Sequence, residues 1–425
     1  IINNKTAPQL NLVGSKIKAS DKLQFLNLFG SRLVKNGLQL QIYKKSIKEL
    51  VDKNPDIDID ARGEMNPILD NIVLTQITDM VYPSEKDDIN DINEFYGEKG
   101  LKNCMNRSGS KYTYKKKILD TYGPIFDKDI LPQFSCKIAS IIESVDESEG
   151  VVFIYTNYIN SGIIPLQLAL EQNGYKKHTG EPSLKYPDWT SSSDNIKTKR
   201  EPMSFNGLKK SQVSDRFIQG KYMVIDGSTS KKILQHQLKI INSDENRYGE
   251  KIKIVIGTVV ASEGLDFKRI RSVHILDPWL HLNRIEQTVG RAIRFCSHAD
   301  LPANEKNVLI YLHVASLPKI KINIEQESID LSIYRYAEKK SIEIGKVETI
   351  LKTNAIDRYL FKDVNVIKKG SIQEVKMKPC LYKSNDIIVD PSDKSYSKVC
   401  SYLEECNYNR GLKDIQLTSL NDDTF

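Results

Sequence analysis

Apolar and polar positions change their spacing near Leu131. Before it, apolar residues recur at helical intervals in Lys22–Val34 and again in Leu40–Val51, and a polar, acidic stretch follows at Asp87–Glu94. Residues 1–130 therefore read as a helical connector with a loop. From Leu131 onward, short continuous apolar runs alternate with longer amphipathic segments. The runs Val151–Tyr155, Tyr222–Asp226, Lys253–Gly257, Ser272–Asp277 and Val308–Leu312 are predicted strands; Ile163–Gln172, Lys231–Ile241 and Leu282–Phe295 are predicted helices. Strands alternating with helices predict an α/β fold, a parallel sheet with helices on both faces, over residues 131–318.

The interval Lys176–Asn206 breaks this rhythm. It carries Ser191, Ser192 and Ser193 and then the basic Lys197, Lys199 and Arg200, as a surface insertion would. Beyond Ser316, Ile329, Ile333, Tyr336, Ile342 and Ile344 follow helical spacing, so residues 319–425 read as a helical extension ending in a polar tail. A length of 425 residues suits two or three domains, and 40% hydrophobic with 28% charged residues suits a globular chain. The net charge of +7, from 62 Lys and Arg against 55 Asp and Glu, is compatible with a polyanion and identifies none. The six cysteines are widely spaced without a C-x-x-C pair, which points to a reducing compartment rather than a disulfide framework. No apolar run approaches the roughly 18 residues that span a bilayer, and no signal peptide opens the chain. The expectation is a soluble, cytoplasmic protein with no membrane partner. Because the sequence begins with Ile1 rather than Met, it is expected to be part of a longer polypeptide.

In an open parallel sheet, ligands sit at the carboxyl ends of the strands, so the loops there carry the chemistry. One such loop runs from Gly257 to Phe267. A second region, Arg284 to Arg294, spaces Gln287, Arg291 and Arg294 by four and three residues, so the three polar heads are predicted to share one helix face. Arginines so spaced suit a polyphosphate, since a guanidinium stays charged and meets phosphate oxygens with a fixed fork of donors. The ordinary alternative is a solvated helix face with internal ion pairs, and charge spacing alone favours it. The glycine-containing loop beside the arginines reverses that balance.

At these residues the sequence resembles the superfamily 2 helicases. Gly257–Phe267 looks like motif V, Gln287–Arg294 fits the Q-x-x-G-R-x-x-R form of motif VI, and Val152–Asn157 looks like the strand and loop of motif IV. More narrowly, Val151–Gly174, Ile241–Asp266, Asp277–Pro302 and Ser328–Asp357 are similar to helicase-type proteins of large nucleo-cytoplasmic DNA viruses. Those are relatives of the poxvirus early transcription factor small subunit and nucleoside triphosphate phosphohydrolase I. The resemblance implies a second RecA-like lobe carrying motifs IV–VI. It implies Arg294 as an arginine finger for the γ-phosphate of ATP, Arg291 as its phosphate-contacting neighbour and Gln287 facing the reaction centre. It also implies Gly264 and Asp266 near the nucleotide, Thr258 on a nucleic-acid backbone, and Thr156 and Asn157 in the motif IV contact. The activity implied is that of an ATP- and Mg²⁺-dependent helicase or translocase on DNA or RNA, in viral transcription or DNA metabolism. Its partners would be an upstream RecA-like lobe and RNA polymerase or transcription factors, in the host cytoplasm or virion. The alternative is a non-catalytic RecA-like module serving as a platform in a transcription complex.

The sequence also departs from that pattern. No G-x-x-x-x-G-K-[ST] phosphate loop and no D-E-x-H or D-E-A-D box occurs, so this chain alone is expected to be inactive and the Mg²⁺ ligands to lie in the upstream lobe. Other candidates are secondary. Trp279, after Asp277-Pro278, is either a surface set against nucleic acid or the partner lobe, or a buried indole. Tyr112, Tyr114 and Lys115–Lys117 are either a nucleic-acid contact or a solvated connector. His274 reads as a core histidine. Cys380, Cys400 and Cys406 are one ligand short of a closed zinc site, so no metal site is expected.

Overall fold

The computed structural model describes residues 1–54, 72–85, 89–185, 201–258, 265–319, 325–356, 367, 369–379, 381 and 385–404. Strands are β1 (Phe29–Arg32), β2 (Met105–Ser108), β3 (Lys111–Tyr114), β4 (Val151–Tyr155), β5 (Lys176–Lys177), β6 (Leu184–Lys185), β7 (Lys221–Ile225), β8 (Ile254–Gly257), β9 (Ile270–Ile275) and β10 (Leu309–Ser316). Helices are α1 (Leu38–Lys53), α2 (Ile72–Asp79), α3 (Gly97–Cys104), α4 (Lys116–Tyr122), α5 (Cys136–Glu147), α6 (Ile164–Gln172), α7 (Lys231–Ile241), α8 (Leu282–Ala292) and α9 (Ile329–Asn354). Seven strands pair in the order β1-β10-β9-β4-β8-β7-β5, and every pairing is parallel. This is the parallel sheet of the α/β fold that the alternating strands and helices predict.

Side-chain alternation along the central strands divides the core. Val152 and Ile154 of β4 with Ile254 and Ile256 of β8 pack among Ile138, Ile141 and Ile142 of α5 and Leu166 and Leu170 of α6. Their neighbours Val151, Phe153, Tyr155 and Val255 pack instead with Ile241 of α7, Ile285 and Val289 of α8, and Leu331 and Tyr334 of α9. Successive residues of a strand point to opposite faces, so both faces are covered, and a strand buried on both sides has no polar position to interrupt its apolar run. The predicted strand over Val151–Tyr155 coincides with β4, and the other four overlap β7, β8, β9 and β10 with ends that differ by at most four residues.

The predicted helix over Lys22–Val34 does not form. Phe29–Arg32 is instead an edge strand beside β10, in register from Phe29 opposite His313 to Arg32 opposite Ser316. The apolar spacing there comes from Leu23, Phe25, Leu26 and Leu28, which pack on the core from an irregular segment. The helix over Leu40–Val51 forms within α1. Tyr112 and Tyr114 are neither solvated nor displayed: both are buried side chains of β3, and Lys115 pairs with Glu85. Of the interval Lys176–Asn206, residues 186–200, with the serine run and Lys197, Lys199 and Arg200, lie outside the described residues.

A buried ion triad ties helices to the sheet. Lys137 of α5 meets Asp79 of α2 at 2.7 Å and Asp330 of α9 at 2.9 Å, and Asp330 also accepts from Thr78 Oγ1 and from the Ala315 backbone of β10, each at 2.8 Å. Burial opposes the charge on Lys137, but the Asp330 and Asp79 carboxylates outweigh it and hold the ammonium form. Losing one member would strand the others' charge in the interior.

By contacts the chain divides into a unit of Ile1–Glu338 with Met377–Ile387 and a smaller unit of Lys339–Lys376 with Ile388–Phe425. In the smaller unit Lys352 Nζ donates to Ser401 Oγ at 2.6 Å, and Gly345 sits so close to the Ser401 carbonyl that a Cβ would lie 1.7 Å from it. Cys104, Cys136 and Cys296 are free thiols. Among the described residues, no helix is long and apolar enough to cross a membrane.

Candidate functional site

The candidate residues gather at the carboxyl ends of β4, β8 and β9 and along α8. At the end of β4, Thr156 and Asn157 converge on Asp277, which follows β9. Thr156 Oγ1 and the Asn157 backbone N–H each donate to the Asp277 carboxylate at 2.7 Å, and the Asn157 amide adds a third bond. Asp277 is only 1% exposed, and burial pushes its pKa up against those three donors. Thr156 is itself fully buried. Its hydroxyl is spent on Asp277, so as it stands the side chain fixes the motif IV loop instead of meeting a ligand. Gly162 presses against it: a Cβ there would lie 2.0 Å from Thr156 Oγ1, leaving glycine as the residue that fits. Asn157 is half-exposed and is braced by the Tyr155 hydroxyl at 3.0 Å.

Motif V begins at the end of β8. The Thr258 backbone N–H donates to the Ile225 carbonyl at 3.2 Å, and the residue is largely buried. Residues 259–264 lie outside the described residues, and Gly264 with them. The far end of the loop is held by Asn242, after α7, which donates to the Asp266 carbonyl at 2.9 Å and accepts from the Lys268 N–H at 2.8 Å.

Motif VI differs from expectation in one respect. Helix α8 stops at Ala292, and Ile293 leaves helical geometry at φ −111°, ψ 31°, so Arg294 is not on the helix. Gln287 and Arg291 share a face of α8, with Gln287 exposed. Arg294 lies in the turn beyond, closed by the Ser297 N–H bonding the Arg294 carbonyl at 3.0 Å. The two arginines are still neighbours of motif V. Arg291 Nη1 reaches the Leu265 carbonyl at 3.5 Å, and Arg294 Nη1 pairs with Asp266 Oδ1 at 3.4 Å. That pair is open to solvent, with the side chains 44% and 61% exposed, and Phe295 beside it is 99% exposed.

Three supporting residues carried no sequence signal. Asp277 follows a buried strand like many loop acids. Asn242 is an ordinary helix-ending residue. Arg269, which adopts φ 60° and is buried, joins the turn after α7 to the segment beyond motif VI: its guanidinium bonds the carbonyls of Asn242 and Ser243 at 3.2 and 2.9 Å and the carboxylates of Asp244 and Asp300 at 2.5 and 2.6 Å. Its own N–H takes the Ser297 carbonyl at 3.0 Å. Trp279 is partly buried and carries the Arg284 guanidinium 3.9 Å above its ring, a cation–π contact that occupies that face. His274 is a core residue, stacked on Tyr311 and 2.9 Å from His313. Cys380 and Cys406 lie outside the described residues, among which no group of three His, Cys, Asp or Glu side chains could hold a metal.

Comparison with known proteins agrees with this geometry. The helicase conserved C-terminal domain family matches residues 198–296, the span holding β7, β8, β9, motif V and motif VI. An assigned ATP-dependent RNA helicase of Acanthamoeba polyphaga mimivirus is 26% identical over 428 residues, covering 81% of this chain and 36% of the relative. A killer-plasmid helicase of Kluyveromyces lactis is 32% identical over 216 residues, covering 51% and 29%. An early transcription factor large subunit homolog of African swine fever virus is 26% identical over 255 residues, covering 60% and 21%. The chain thus spans well under half the length of these relatives. Residues 198–296 thus match the helicase conserved C-terminal domain family, and the chain is similar to helicase-type proteins of large DNA viruses.

Proposed function

We propose that this chain supplies the second motor lobe, motifs IV–VI, of an ATP-dependent helicase or translocase acting on DNA or RNA. The phosphate loop and Mg²⁺ ligands would belong to an upstream RecA-like lobe of the same polypeptide. The observation that carries this reading is the Arg294–Asp266 pair. An exposed ion pair is worth about 0–1 kcal/mol, so Arg294 can exchange a carboxylate for a phosphate at little cost. Its forked donors suit the γ-phosphate, Arg291 sits one turn away, and Gln287 faces out from the same helix. MgATP would present the phosphate charge; Arg294 would meet it only on lobe closure, which makes hydrolysis depend on closure. The exposed Ile293 and Phe295 on either side of Arg294 give closure an apolar surface to cover.

On the nucleic-acid side, Thr258 and Asn157 would hold the strand's backbone, with Thr156 and Asp277 positioning Asn157. The names of the relatives support a role in viral transcription or DNA metabolism, with RNA polymerase or transcription factors as partners, in the host cytoplasm or virion. The test is to compare ATP hydrolysis by the purified chain with that of the polypeptide carrying the upstream lobe. The chain alone should turn over negligibly and the longer polypeptide should be stimulated by nucleic acid; substantial turnover by the chain alone would sink the two-lobe reading. In a second reading, a non-catalytic platform in a transcription complex, the Arg294–Asp266 pair would stay closed. That reading predicts no stimulation in either polypeptide.

A further inference from the structure

A cavity of about 470 Å³ opens where α1 passes the carboxyl ends of β1 and β10. Its walls include Leu40 and Tyr43 of α1 and Leu317 after β10, and Lys35, Lys44 and Lys319 line it as well. The three lysines are exposed. Lys319 lies 3.5 Å from Glu325, whereas Lys35 and Lys44 have no carboxylate within ion-pair distance among the described residues. Tyr43 is held in the wall by accepting the Ile329 N–H at 2.9 Å. Residues 12–47, which build most of this site, lie outside the matched helicase domain.

We propose that this cavity receives one base of a single strand whose neighbouring phosphates bind Lys35 and Lys44. The inference rests on the nucleic-acid reading above and extends it by a second contact. Three features point there. The apolar walls match the faces of a base, and the lysines match the charge that flanks it. The cavity has the size of a small-molecule site. All seven strands are parallel, so the ends of β1 and β10 lie on the same edge of the sheet as the motif IV loop after β4. Three strand spacings separate β4 from β1, about 14 Å, a distance a strand crossing that edge would cover.

The test uses the full chain with Lys35→Gln/Lys44→Gln, exposed positions where thermal melts should match wild type. Binding of a long oligothymidylate and of one too short to leave the motif IV loop is followed against salt. For the long strand the double variant should weaken binding and lower the salt slope by about 1.4, two contacts at about 0.7 each. The short strand should be unaffected. A photoreactive base in the long strand should crosslink to α1. Unchanged slope and affinity for the long strand, with binding still lost in Asn157→Ala, would overturn the cavity's role and leave the motor reading standing. Binding of neither strand by wild type would overturn the nucleic-acid reading itself. If a polyglutamate peptide binds wild type but not the double variant while the long strand ignores the substitutions, the cavity serves an acidic protein partner and the proposal falls.

Discussion

Two carboxylates at the same edge of the sheet live under opposite conditions. Asp277 is buried with three donors around it, and its neighbours Thr156 and Gly162 are locked by contact. Asp266 is open to water and holds Arg294 by one contact of 3.4 Å. The motif IV end is therefore built before any ligand arrives, whereas the motif V–VI end is held by an interaction weak enough to exchange. Arg269 lets the loose end stay loose locally, because it ties the turn after α7 to the segment that follows motif VI while leaving the Asp266 and Arg294 side chains in solvent.

The sharpest way to break this comparison is at Arg294. In the polypeptide carrying both lobes, Arg294→Ala should cut single-turnover ATP hydrolysis by about 10³–10⁵, the range for an arginine finger. Arg294→Lys should do nearly as badly, since an ammonium lacks the planar fork. Melts should barely move. Near-normal hydrolysis by Arg294→Lys would make Arg291 the next candidate.

Asp277→Asn should act on stability instead. It turns one acceptor into a donor facing the Asn157 N–H, at a cost of about 1–3 kcal/mol in urea unfolding. Oligonucleotide affinity should fall with it as Asn157 loses its brace. An unchanged unfolding midpoint would mean the buried end is not the rigid one.

The buried side should also answer to protons. Burial lowers the His274 pKa from 6.5 to about 3 and depresses that of its partner His313. The native pair stays neutral where unfolded histidines take up protons, so stability is full above pH 6.5 and falls as pH drops toward 3. The loss should reach about 1.4 kcal/mol per pH unit per histidine, and His274→Gln should remove its share between pH 6.5 and about 5. Equal acid sensitivity in wild type and variant would assign the loss elsewhere.

The smallest effect is expected at Asp266→Asn, which should change unfolding free energy by no more than about 1 kcal/mol. A larger loss would show that the exposed pair is structural after all.

The sequence disclosed the central strands and α7 because strands buried on both faces and an amphipathic helix write their periods directly into the apolar positions. It disclosed motif VI by residue type and spacing, but not where α8 ends, since nothing in Ala292-Ile293-Arg294 marks a stop. Phe29–Arg32 went unseen because an edge strand containing Gly30, Ser31 and Arg32 has no apolar run. Asp277 and Arg269 were hidden for another reason: their partners are about 120 and 25–31 residues away, and only folding brings such groups together.

That edge strand bears on how the protein can be produced. A recombinant fragment trimmed to begin at Leu131 would discard Phe29–Arg32 and, with it, Ile2, whose side chain packs against Gly30. Leu309–Ser316 would then present an unpaired backbone to any neighbouring molecule, the exposed margin from which sheets grow into insoluble aggregates. Fragments cut at the margins of the helicase domain should precipitate, and those that keep the first 32 residues should stay in solution.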